Sequence, residues 1–193
     1  MQDKIFEFKV QIKGVKPSVY RVIQVPSDFT FFQLHVAIQI AFDWENAHWH
    51  IFNIDGEEIG IDDDDAFVPP LDETAIKLNE KVHSIKQKSE YTYDFGDNWD
   101  HQITLMKILN KKEDETYPKC VRGARNSIPE DIGGVWGFME FKEIINDKNH
   151  PRYKEMSEWY EATEYDEDDF DKNLLNKEYE KFDTICEYFD EPI

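Results

Sequence analysis

Residues 91–105 read YTYDFGDNWDHQITL, and their reading decides the fold. "YTYDF" and the longer "WDHQITLMKI" are strand-like runs, and the polar letters between them form a tight turn. The stretch therefore predicts an antiparallel hairpin, with Gly96 expected to supply the positive φ of its turn. Trp99 and His101 are two residues apart, so they share one face of their strand. The same stretch holds the first candidate chemistry, because Asp94, Asp97 and His101 lie close together on the hairpin. Carboxylates and an imidazole can bind a metal or move protons. The plainer reading is that Asp94 and Asp97 bond the backbone of their own turn. The letters Asp94-Phe95-Gly96 do not mark a kinase, since a Gly-rich loop, a strand lysine and an H-R-D-L-x-x-x-N loop are all missing.

Working outward, "IFEFKVQI" (5–12) alternates with period two and predicts a strand, and "SVYRVIQV" (18–25) its return after the turn at Gly14 to Pro17. "FTFFQLHVAIQIAF" is a helix with Thr30 as N-cap and Gln33 closing a capping box, and Phe29 is placed to pack on Leu34. Phe31, Leu34, Ala37, Ile38 and Ala41 form its apolar stripe, widened by Phe32, Val36 and Ile40, so it belongs deep in a core. Asp55-Gly56 between "HWHIFNI" and "EEIGI" predicts a second hairpin. "DDDDAFVPP" reads as a solvated loop, "AIKL" as a short strand and "NEKVHSI" as a short helix. Residues 111–134 lack periodicity and read as one long loop. Helices follow in "VWGFMEFKEIIND", in "PRYKEMSEWY" with Pro151 in its first turn, and in "KNLLNKEYEKFDTICEYF" as a single element. The expectation is one α+β domain over 1–193, strand-rich over 1–110, with a loop at 111–134 and helices over 135–190. Its sheet is mostly antiparallel or mixed and covered by helices.

Composition narrows the function. Forty-two acidic residues against 22 Lys and Arg give a net charge of -20. Such a surface repels phosphate, which disfavours nucleic acid as a partner. Aromatic residues make up 15% of the chain, enough to build a core. Cys120 and Cys186 stand far apart and form no C-x-x-C motif. The N-terminal stretch reads as a charged strand rather than a signal peptide, and no apolar run approaches the roughly 18 residues of a membrane span. A cytoplasmic protein without a membrane partner is expected.

Other candidate sites are weaker. His48 and His50 flank Trp49 and would share a strand face. With His101 or Cys120 they have zinc-type ligands, but hydrogen-bonded or surface histidines are the preferred reading. Asp169, Asp171, Asn173 and Glu180 fall on calcium-loop positions, yet the required glycine is Leu174 and the stretch reads as helix. Gly133-Gly134 opens a helix, but Glu130 and Asp131 just upstream would repel phosphate and suit the helix dipole instead. Nothing proposes a nucleophile.

"YTYDFGDNWDHQITL", with "YPKCVRGARNSIPEDIGGVWGF", resembles the plasmid Ri open-reading-frame-three-like family. "LHVAIQIAFDWENAHWHIF" and "FDKNLLNKEYEKF" extend the likeness from about Ile5 to Phe182. The resemblance implies a compact α+β fold with its signature loops clustered. By match, the signature positions are Asp94, Phe95, Gly96, Asp97, Trp99, His101, Cys120, Gly123, Arg125, Pro129, Glu130, Asp131, Gly133 and Gly134. Many relatives carry cysteines where this chain has Ser127 and Ile132, so a zinc-thiolate site is not implied here. The label "resolvase-like" attached to some relatives reflects travel with an insertion element and carries no chemistry.

Two functions follow as expectations. The first is a non-enzymatic binding module for a protein or small molecule. Its polar groove is built from the 93–101 hairpin and the Cys120–Gly134 loop, with Asp94, Asp97, Trp99, His101, Arg125, Glu130 and Asp131 as binding candidates. It has no cofactor, no metal and no assigned catalytic residue. The second is a divalent-metal-dependent hydrolase or nuclease in which Asp94, Asp97, His101, Glu130 and Asp131 hold the ion. The first is preferred.

Overall fold

The structure is a computed structural model that describes residues 4–61 and 68–189. The acidic run Asp62 to Asp65 lies outside the described residues. The element order opens with β1 (Lys4–Ile12), β2 (Tyr20–Pro26) and α1 (Phe31–Phe42). Two short strands, β3 (His50–Ile54) and β4 (Glu57–Gly60), then form the second hairpin. Asp55 and Gly56 connect them with φ of 53° and 86°, as a type I′ turn requires. Next come β5 (Leu71–Asp72), α2 (Leu78–Lys81), β6 (Lys88–Tyr93), β7 (Trp99–Asn110) and β8 (Lys119–Ala124). Four helices follow among the described residues: α3 (Gly134–Ile145), α4 (Tyr153–Trp159), α5 (Lys172–Tyr179) and α6 (Phe182–Phe189).

The eight strands of the described residues join one sheet in the order β5-β4-β3-β6-β7-β1-β2-β8. Every pair is antiparallel except the two-residue β4–β5 pair at one edge. The sheet is two-faced. Phe6, Phe52, Tyr91, Trp99, His101 and Ile103 are buried on the helix side. The intervening positions carry polar groups that pair across strands, such as Thr92 with Asp100 and Gln24 with Glu7. An antiparallel sheet tolerates one wet face; here that face is exposed at Glu90 and Asp100 and covered at Glu7, Val22 and Gln24.

Helix α1 supplies most of the opposing core. Thr30 caps it with the reciprocal Gln33 capping box. Nine of its 12 residues are buried, including His35 and Gln39. Phe31 packs edge-on to Phe52 and Phe42 edge-on to His101, which lays the helix across β3 and β7. Phe29 stacks on Phe182 of α6 at 5.3 Å.

Some elements differ from expectation. The stretch 111–134 is not one loop, because β8 pairs with β2 at the sheet edge. Its register shifts between Val22 and Ile23, and a bulged edge strand loses the alternation that would announce it. "AIKL" is a turn with one isolated bridge between Lys77 and Thr30 rather than a strand. The last helix is not a single element but breaks at Glu180 and Lys181 into α5 and α6. Pro151 lies in a turn just before α4 instead of within it. The calcium-loop positions are helical from Lys172, and Asp171 caps α5 by accepting from the Asn173 N–H at 2.7 Å.

One buried cation organises the β8 edge. Arg21 on β2 is 1% exposed. Its Nε donates to the Ala41 carbonyl at the end of α1, and its Nη1 donates to the carbonyls of Tyr20 and Ala124. Its guanidinium lies over Phe170 at 4.2 Å. Burial lowers its pKa to about 10. The α1 C-terminus offers the negative end of a helix dipole, which suits a guanidinium lodged there.

Candidate functional site

The turn between β6 and β7 is built by its own aspartate. Asp94 Oδ1 accepts from the Gly96 N–H at 2.9 Å and the Asp97 N–H at 3.3 Å, an Asx turn. The positive φ falls on Asp94 (58°) and Asn98 (54°) and not on Gly96, which corrects the sequence expectation. Asn and Asp tolerate that region because their short polar side chains bond locally.

This turn does not stand alone. Asp97 Oδ2 accepts from the Gly133 N–H at 2.9 Å, so the turn caps the first residues of α3. Gly134 comes so near that an added Cβ would lie 2.4 Å from the Asp97 carbonyl oxygen. On the other side, the Asp94 N–H donates to the Trp49 carbonyl at 2.9 Å. The segment before α3 is anchored as well. Trp44 Nε1 donates to the Ile128 carbonyl, Tyr93 donates its hydroxyl to Glu130, and Glu130 also accepts from the Glu45 N–H. Burial raises the Glu130 carboxyl, and burial together with Glu130 pushes Tyr93 well above the ordinary tyrosine value.

The binding candidates are thus divided. Asp94, Asp97, Glu130 and Asp131 do come together where the turn meets 128–134. Trp99 and His101 do not line that surface. Both lie inside the core, 1% and 0% exposed, as period-two neighbours facing α1. His101 Nδ1 donates to the Trp99 carbonyl at 2.7 Å, and its ring meets Phe42 and Trp44 edge-on. Burial lowers its pKa to about 4, so it is a neutral core residue. Arg125, at φ 72°, is ion-paired with Asp168. Cys120 is buried in β8, and its N–H donates to Asn176 of α5.

Two histidines behave unlike the strand pair expected of them. His48 precedes β3, whereas His50 begins it. His50 is buried, stacks on His35 at 3.5 Å and meets Glu73 at 2.7 Å. Burial lowers His50 and raises Glu73, so it disfavours the charged form of each partner. His48 turns the other way and joins the surface, with Nε2 3.0 Å from Asp131 Oδ1 and 3.8 Å from Asp94 Oδ2. Sequence reasoning did not place it there, because it lies 46 positions before Asp94 and was read as part of the strand.

Three exposed aromatic residues lie on or next to the segments that form this junction. Trp49, Phe95 and Trp136 are 41%, 52% and 82% exposed. Trp49 is the backbone partner of Asp94, Phe95 follows Asp94 directly, and Trp136 sits in the first turn of α3.

A two-faced, eight-stranded sheet carrying α1 and a docked 93–99 turn defines an α+β protein with clustered signature loops. Comparison with known proteins gives the family. The family model of plasmid pRiA4b ORF-3-like proteins matches residues 4–174, and the chain belongs to that family. It is 32% identical over 178 residues to the uncharacterized protein y4hQ of Sinorhizobium fredii, covering 92% of this chain and 91% of that protein. It is also similar to the crystal structure of MM3350 from Methanosarcina mazei Go1, a protein of unknown function. That match has 38% identity and a TM-score of 0.81, and covers 90% of this chain and 98% of the other. Among the described residues, no helix is long and apolar enough to cross a membrane.

Proposed function

We propose that the protein is a non-enzymatic binding module whose recognition surface is the junction of the 93–99 turn with residues 128–136. The exposure of Trp49, Phe95 and Trp136 around His48, Asp94 and Asp131 carries this reading. Large aromatic side chains held in water beside fixed polar groups are the usual anchors of a binding surface. The rigidity of the junction supports it too, since a surface already ordered loses little entropy on binding. Its partner is a protein or small molecule, and the net charge of -20 favours cationic over phosphate-rich partners. Two cysteines in 193 residues fit a reducing, cytoplasmic setting.

The hydrolase reading is not favoured. Of its five proposed ligands, His101 is in the core, Asp97 is bonded to the Gly133 N–H, and Glu130 is held by Tyr93 and the Glu45 N–H.

Photo-crosslinking in the native host tests the proposal. A photoreactive residue in place of Phe95 or Trp136 is expected to capture the same discrete species. One in place of Tyr188, 71% exposed on α6, is expected not to capture it. No crosslinked species from 95 and 136, or the same species from all three positions, would refute the assignment.

A further inference from the structure

We propose that His48, Asp94 and Asp131 form a site for one divalent first-row transition cation. Each offers a ligand atom, and the three atoms lie within 4.8 Å of one another. Donors that share an ion at about 2.0–2.2 Å sit roughly 3.0–3.5 Å apart. The His48 Nε2 separations of 3.0 Å from Asp131 and 3.8 Å from Asp94 bracket that range.

A second observation points to a ligand at this place. His48 Nε2 itself is sealed from solvent and makes no hydrogen bond, with Asp131 Oδ1 3.0 Å away, although the side chain as a whole is 28% exposed. Buried polar atoms are rarely left unbonded, and an ion between the ring and the two carboxylates would satisfy it. Asp94 is already oriented for the task. Its Oδ1 is taken by the N–H groups of Gly96 and Asp97, which leaves Oδ2 facing His48. Ligands held by such outer hydrogen bonds bind metals more tightly.

The donor set selects the ion. One imidazole nitrogen and two carboxylate oxygens suit zinc, manganese or ferrous iron, whereas calcium asks for six to eight oxygens. Three protein ligands leave coordination positions for water or for a group on a bound partner. The site needs no partner to fill, so it stands or falls separately from the binding-module proposal.

Isothermal titration of the chelator-treated full chain with zinc chloride, followed by thermal unfolding, tests the site. The expected result is one saturable site per chain. Zinc at about 100 times its Kd should raise Tm by roughly 5 to 11 °C. Asp131 is mostly exposed, so Asp131→Asn should leave the metal-free Tm unchanged while abolishing both signals. His48→Ala should abolish them too, and if that variant fails to fold, Asp131→Asn alone decides. Absence of saturable binding would overturn the proposal. So would undiminished binding to Asp131→Asn, or a calcium-induced shift equal to that of zinc, since either would describe a diffuse acidic surface.

Discussion

Gly134→Ala is expected to cost about 1.5 to 3.5 kcal/mol, the sum of left-handed backbone strain and the loss of one hydrogen bond at the junction. Gly134 has φ +66°, and an added Cβ would lie 2.4 Å from the Asp97 carbonyl oxygen. That oxygen is backbone at the floor of the turn and cannot swing aside as a long side chain would. The turn must lift off α3, and the Asp97 to Gly133 hydrogen bond goes with it. Gly56→Ala is the control. It has φ +86° but nothing within 4 Å of the added atom. Only the conformational strain remains there, about 1–2 kcal/mol. Urea unfolding of the two variants beside the wild type measures the difference. Equal losses would mean that the close approach of turn and helix contributes nothing.

The second large effect is acid sensitivity. His35 and His101 are fully buried, and burial holds both below the ordinary histidine value, His101 at about 4. Below pH 6.5 the unfolded chain takes up protons that these two rings refuse in the folded state. Stability present above pH 6.5 is therefore lost as pH falls toward 4. For His101 alone the shift from 6.5 to about 4 corresponds to about 3 kcal/mol. The His50–Glu73 pair opposes itself. Burial lowers His50 and raises Glu73, so their effects on the pH dependence act against one another. Unfolding free energies at pH 7, 6, 5 and 4 are expected to decline. His101→Phe keeps a ring in the core and should flatten that decline, which separates the histidine effect from relief of acidic self-repulsion. An unchanged slope in His101→Phe would show that the ring is protonated in the fold.

How much of this was legible follows from the range of the interactions. The α1 cap was readable because Thr30 and Gln33 are three residues apart and the capping geometry is local. The Asp55-Gly56 hairpin was readable for the same reason. Strand β8 was not, because its Gly123 has no side chain to set a period; the ring of Phe170 and the stem of Arg21 crowd the space a Cβ there would take. The sequence marks the turn at 93–99, but residue type alone points to Gly96 for its positive φ. The structure gives it to Asp94 and Asn98, whose partners and neighbours hold the backbone there. At the candidate site, Asp94, Asp97, Glu130 and Asp131 were found by chemical type. His101 was chosen for its nearness in sequence and lies in the core, while His48 reaches the surface from a distant segment. The alternation that puts Trp99 and His101 on one face was itself the signal that both face inward. Trp136 had a signal of its own: an aromatic residue in the first turn of α3 whose side chain the core does not need.

The central claim is that the 93–99 turn and residues 128–136 are one ordered unit. Hydrogen–deuterium exchange on the wild type and Asp97→Ala tests it most directly, read by mass spectrometry over peptides from both segments. Asp97→Ala removes the acceptor of the Gly133 N–H, so peptides spanning 93–99 and 128–136 should both exchange faster, while β1 and β2 keep their protection. Faster exchange confined to 93–99, with 128–136 unchanged, would contradict the account.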